Sequence, residues 1–221
     1  MANRLNQRFR NGQATNNIRK VGVFVRQIDA ESNMNKPYLP CPDTQYCSFL
    51  NDRWSGSIIN ADTRHVYNTN LGFVLAPTAN LSAAVMCSYP GDGGTQSKRC
   101  SPPGVRDNCK PGCYFGSPNW CPNENHWWGC NGYPRSRLYQ MLTRSAEANR
   151  YNEVVLDIQS LMLTWPEGIE AVFYITDKGK SSARQVQRQL VQDYGEAAAS
   201  IPVLKLDLAT GGEEGTPFAA T

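Results

Sequence analysis

Hydrophobic positions in this chain come in short bursts between turn residues, and the period of the bursts changes along its length. Residues 21–28 carry Val21, Val23, Phe24, Val25 and Ile28, with polar side chains arriving only near the end, the composition of a buried strand. A turn through Ser32, Asn33, Asn35 and Pro37 follows, and residues 49–54 are suited to a helical turn. Clusters at 57–60, 65–67 and 72–75 each set β-formers between turn residues and predict three short strands. From about Ser88 to Pro134 the periodicity vanishes, and Pro and Gly at 90–94, 102–104 and 111–112 mark tight turns. Beyond it Leu138, Met141, Leu142 and Ser145 recur at helical spacing over 135–148, and residues 151–157 and 169–176 read as strands. Residues 182–194 form the clearest helix, with Val186, Leu190, Val191 and Tyr194 on one face and Gly195 at its end, and 203–208 make a last strand. Helices alternating with apolar strands predict a mixed α/β fold, a central sheet flanked by helices with crossover connections and a long irregular insertion.

The strand clusters on either side of the irregular stretch are each too few for a stable sheet of their own. This predicts a single domain over 21–210 that contains a cysteine-rich insertion at 87–134. Residues 1–20 hold Arg4, Arg8, Arg10, Arg19 and Lys20 without an acid, and read as a solvated or partner-docking basic arm. Residues 211–221 are small and polar up to Pro217 and Phe218 and read as a surface tail. The net charge of +3 is concentrated in the arm, so the remainder is nearly neutral and no nucleic-acid partner is assigned. With 221 residues and 40% hydrophobic content the chain can bury a sizeable core. Its apolar runs fall far short of the roughly 20 residues that cross a bilayer, so no transmembrane segment is expected and any membrane attachment lies outside it.

Six of the eight cysteines fall between Cys87 and Cys130, at successive spacings of 13, 9, 4, 8 and 9. Paired metal ligands at short separation occur only as Cys109 and Cys113, with no second such pair, so zinc is the weaker account. An even count in a segment without a core predicts a disulfide framework among Cys41, Cys47, Cys87, Cys100, Cys109, Cys113, Cys121 and Cys130. Connectivity stays open, since eight cysteines admit on the order of a hundred complete pairings. Only a local Cys41–Cys47 bridge, closing a short loop, suggests itself. Disulfides imply an extracellular or other oxidising compartment. The first residues lack the charged, apolar and small-residue sections of a secretory leader, which opposes that placement unless Met1 is a processed start.

The insertion also holds Tyr89, Tyr114, Phe115, Trp120, Trp127, Trp128 and Tyr133. Flat aromatic faces stack on sugar rings or partner surfaces, which makes Trp120, Trp127 and Trp128, with His126 beside them, the candidate binding residues. The competing account has these rings packing on disulfides as a small core. Glu153 and Asp157 share one face of their strand but lie about 13 Å apart along it, too far for a glycosidase pair at about 5–9.5 Å. Glu153 would have to act with Glu170 or Asp177 from a neighbouring strand, with Arg26 as charge partner; ion pairing is the ordinary role of such acids. The glycines at 91, 93 and 94 lack the Gly-Lys-Ser/Thr ending of a phosphate loop, and no Gly-x-Ser-x-Gly elbow surrounds the serines at 55 and 57. Asn80-Leu81-Ser82 is a glycosylation acceptor triplet. No catalytic set, metal site or cofactor motif is assigned.

Pro40-Cys41-Pro42 with Cys47, Asp52-Arg53-Trp54 leading to Ile58-Ile59-Asn60, Met86-Cys87-Ser88-Tyr89-Pro90 with Asp92-Gly93-Gly94-Thr95, and the run from Tyr151 to Asp157 occur together here. In that combination the chain resembles, over most of its length, an uncharacterised cysteine-rich family of marine microalgae, dinoflagellates and haptophytes especially. The resemblance implies an exported or membrane-attached ectodomain and carries no activity, cofactor or site residue. Three functional expectations follow. The first is a non-enzymatic extracytoplasmic domain that binds a glycan or protein partner through the Trp-rich insertion. The second is an enzyme acting on glycans or nucleotides through acids of the C-terminal sheet, and the third a structural subunit of a larger algal assembly docking through the basic arm.

Overall fold

The computed structural model describes residues 1–28, 53–66, 70–91, 133–149, 151–157 and 166–221. Nine strands form one mixed sheet. In chain order they are β1 (Val23–Ile28), β2 (Arg53–Ile59), β3 (Leu71–Leu75), β4 (Val85–Tyr89), β5 (Tyr133–Pro134), β6 (Glu153–Asp157), β7 (Ile169–Tyr174), β8 (Val203–Leu206) and β9 (Phe218–Ala220). The helices are α1 (Ala2–Arg10), α2 (Ala79–Ala84), α3 (Leu138–Ala148), α4 (Asp177–Tyr194), α5 (Glu196–Ala199) and α6 (Thr210–Glu213). The spatial order is β5-β4-β6-β2-β1-β3-β7-β8-β9, so strands from before and after the cysteine-rich segment interleave in one sheet. Every ladder is antiparallel except β7 with β8, which α4 and α5 connect as the crossover that the alternating pattern predicts.

The two faces of the sheet bury different side chains. Phe24, Ile58, Phe73, Leu156 and Val172 meet Leu138, Met141 and Leu142 of α3 and Ala183, Val186 and Leu190 of α4. Val23, Val25, Ile59, Val74, Phe173, Leu204 and Phe218 point the other way, where Leu5 and Phe9 of α1 cover them. Leu5 and Phe9 are fully buried, and burial of side chains of this size stabilises by about 1.5–3 kcal/mol each. A smaller cluster of Cys87, Tyr89 and Val155 lies on β4 and β6.

Several elements depart from the sequence expectations. Within residues 1–20 the first half is not a solvated arm: Leu5 and Phe9, four apart, give α1 an apolar stripe that docks on the sheet, while Arg19 and Lys20 stay exposed. The 211–221 tail is also part of the body, since β9 pairs with β8 and buries Phe218. Arg53 and Trp54 belong to β2 rather than a helical turn, while residues 49–52 lie outside the described set. His65 and Val66 are in no strand; Val66 packs against the α1-side core. Helix α4 begins at Asp177, five residues before the expected start, because Gly179 lets the first turn approach the Asn70 backbone, where a Cβ would stand 2.6 Å from the Asn70 oxygen. Among the described residues no helix is long and apolar enough to cross a membrane.

Two asparagines complete backbone pairing with their side chains. Asn152, fully buried, donates from Nδ2 to Ile58 O and accepts at Oδ1 from Ile58 N, each at 2.8 Å. It extends the β2–β6 ladder past the last paired residues, Gly56 and Val154. Asn6 of α1 makes the same two-point contact with Phe218, donating to its carbonyl at 2.9 Å and accepting from its N–H at 2.8 Å. That contact occupies part of the open edge of β9, the kind of edge that otherwise recruits other chains. Asn152→Ala leaves a buried donor and acceptor on Ile58 unsatisfied and is expected to cost about 2–4 kcal/mol, read as a lower urea midpoint at unchanged slope.

Candidate functional site

The cysteine-rich segment leaves and re-enters the sheet at one edge. Ser88 of β4 pairs with Tyr133 of β5, Cys87 pairs with Pro134, and the Ser88 hydroxyl donates to Tyr133 O at 3.3 Å. The two ends of segment 92–132 are therefore held on neighbouring strands, as the ends of a hairpin are. Trp120, His126, Trp127 and Trp128 lie outside the described residues, as do Cys41, Cys47, Cys100, Cys109, Cys113, Cys121 and Cys130. Cys87 is described: it is 1% exposed on β4, beside Tyr89 and Val155. The acceptor triplet falls on α2, where the Thr78 side chain caps the helix by accepting from Leu81 N at 3.1 Å and Asn80 is half-buried.

Next to that edge the sheet carries buried polar side chains. Glu153, 6% exposed, stands opposite Tyr89 across the β4–β6 ladder. Gln27 and Ser57 share its face of the sheet, both buried, and Gln27 Nε2 donates to Ser57 Oγ at 3.1 Å. Enclosure by protein pushes the Arg26 guanidinium below its ordinary value, and the nearby Tyr151 and Glu153 pull it back up. Arg26 alternates with Gln27 and so leaves β1 on the opposite face of the sheet from Glu153, with β2 between their strands; the carboxylate acts on it through charge alone. Sequence reading missed Gln27 and Ser57, although an amide two positions after Val25 in so apolar a strand was a visible signal.

The other acids are elsewhere. Strands β2, β1 and β3 separate β6 from β7, four steps of about 4.8 Å, so Glu153 and Glu170 stand roughly 19 Å apart. Glu170 is the extra residue of a β-bulge, since Val74 pairs with Ala171 and Leu75 with Ile169. The bulge turns the Glu170 carboxylate toward α1, where Oε1 accepts from Arg4 Nη2 at 2.6 Å and Oε2 pairs with Arg8. Asp177 lies past the opposite end of β7, its side chain 86% exposed and 3.8 Å from Lys205 Nζ. The three acids do not converge on one cleft, so the catalytic grouping that the enzyme expectation requires is not formed by them. Among the described residues no group of three or more His, Cys, Asp or Glu is placed to hold a metal ion. His65 Nε2 meets Asn149 Oδ1 at 2.6 Å, an exposed contact beside the left-handed turn that ends α3.

Glu170 is a structural anchor, and its two partners are unequal. Its side chain is 9% exposed, that of Arg8 17% and that of Arg4 60%. Double-mutant cycles should give a coupling of about 1.5–3 kcal/mol for Arg8 with Glu170 and below about 1 kcal/mol for the water-screened Arg4 pair. Equal couplings would remove the distinction.

No protein-family model, no curated protein and no solved structure matches this chain.

Proposed function

We propose that the chain is a cysteine-rich, extracytoplasmic binding domain, non-enzymatic, in which the α/β body presents the 92–132 segment to a glycan or protein partner. The observation that carries this reading is the pairing of Ser88 with Tyr133, which fixes both ends of an aromatic- and cysteine-rich segment to adjacent strands. Segments held this way on a rigid scaffold are where binding function concentrates. The separation of Glu153, Glu170 and Asp177 favours this reading over the enzyme alternative. The assembly alternative keeps only part of the basic arm it relied on, because Arg4 and Arg8 are paired with Glu170 while Arg19 and Lys20 stay exposed.

Screening the full chain on a glycan array, alongside capture of protein partners under oxidising conditions, tests the proposal. Binding is expected to fall at least about fivefold in Trp120→Ala, Trp127→Ala or Trp128→Ala, in line with a loss of about 1 kcal/mol or more for a stacking aromatic. It should disappear on reduction while the far-UV spectrum of the α/β body persists. Binding that survives both reduction and all three substitutions would refute the assignment to this segment.

A further inference from the structure

Arg19 and Lys20 stay exposed near the N-terminus, and a denser group of cations lies along one helix, α4. Residues 178–192 contain Lys178, Lys180, Arg184 and Arg188 and no acid, more than the whole chain's excess of +3. Gly179, Ala183, Val186 and Leu190 point into the core, which places Ser181, Arg184, Gln185, Arg188 and Gln192 on the exposed crest. Lys180 lies on one flank with its Nζ 5.9 Å from the Tyr174 ring centroid. The two acids that bound the run are occupied: Asp177 faces Lys205, and Asp193 accepts from Gln189. Among the described residues, the side chains of Lys178, Arg184 and Arg188 have no ion-pair or hydrogen-bond partner.

We infer that this crest of α4 is a second contact surface, specific for an acidic polysaccharide bearing sulfate or carboxylate groups. The inference rests on the glycan form of the proposed function and names the chemical class of that glycan. Arg184 and Arg188 are one helical turn apart, about 6 Å, and guanidinium forks match sulfate and carboxylate oxygens in pairs. Gln185, Gln192 and Ser181 interleave neutral donors and acceptors suited to sugar hydroxyls. No large exposed hydrophobic is found on α4; among the described residues these are Met1 and Tyr139. The helix therefore lacks the aromatic platform for unpaired bases and the apolar face for insertion into a lipid surface.

The experiment titrates the full oxidised chain with heparin as the acidic polysaccharide, with dextran, duplex DNA and phosphatidylserine vesicles in parallel, across a series of salt concentrations. Heparin is expected to bind with a steep salt dependence, at least about tenfold tighter than DNA or vesicles. Arg184→Gln with Arg188→Gln, which keeps helix propensity nearly constant, should reduce the slope of log K against log salt by about two. An unchanged slope, no heparin binding, or equal binding of DNA or vesicles would each overturn the inference. The proposed function fails separately: if the Trp120, Trp127 and Trp128 variants abolish dextran or protein binding while the α4 variant is silent, the segment 92–132 reading stands and this one falls.

Discussion

The structure depends on covering both faces of a nine-stranded sheet. Helices α3 and α4 cover one face, and on the other Leu5 and Phe9 of α1 seal the centre against Val25, Val74 and Phe173. A nine-residue helix with two apolar anchors is marginal by itself. Its position is therefore fixed by tertiary contacts: Asn6 grips the Phe218 backbone, and Arg8 meets the Glu170 carboxylate that the β7 bulge turns toward it. Each contact joins residues more than 160 positions apart, so the N-terminus and the last strands hold one another in place.

This arrangement redistributes the chain's charge. Arg4 and Arg8 meet a carboxylate, and Arg10 donates to Gly215 O at 3.0 Å, so the three cations of α1 serve the fold. Arg184 and Arg188 lie on the solvent crest of α4, and among the described residues their side chains have no ion-pair partner. The acids are dispersed in the same way: Glu170 anchors α1, Glu153 is buried opposite Tyr89, and Asp177 sits at the exposed start of α4.

What sequence could and could not reveal follows from locality. Helix α3 was legible because Leu138, Met141, Leu142 and Ser145 repeat at 3.6 residues, and all four are buried. Strands β1, β6, β7 and β8 were legible from β-branched clusters, and Gly195 ends α4 with a positive φ of 63°. Helix α1 was not, because Leu5 and Phe9 stand alone among Arg, Asn and Gln and their partners come from β1, β3 and β7. β4 was concealed by the turn residues after Pro90, and β9 by the plainness of Phe218-Ala219-Ala220. The site was legible only in part: Glu153 could be named as an acid of its strand, whereas the Glu170 bulge is a consequence of register between β3 and β7.

Hydrogen exchange resolved along the native chain tests most directly whether the N-terminal helix belongs to the fold. The account predicts that amides of Leu5 to Arg10 exchange as slowly as those of β1 and β3, since opening α1 uncovers the centre of the sheet. Complete exchange of α1 within seconds, with β1 and β3 still protected, would contradict it and return residues 1–10 to a solvated arm.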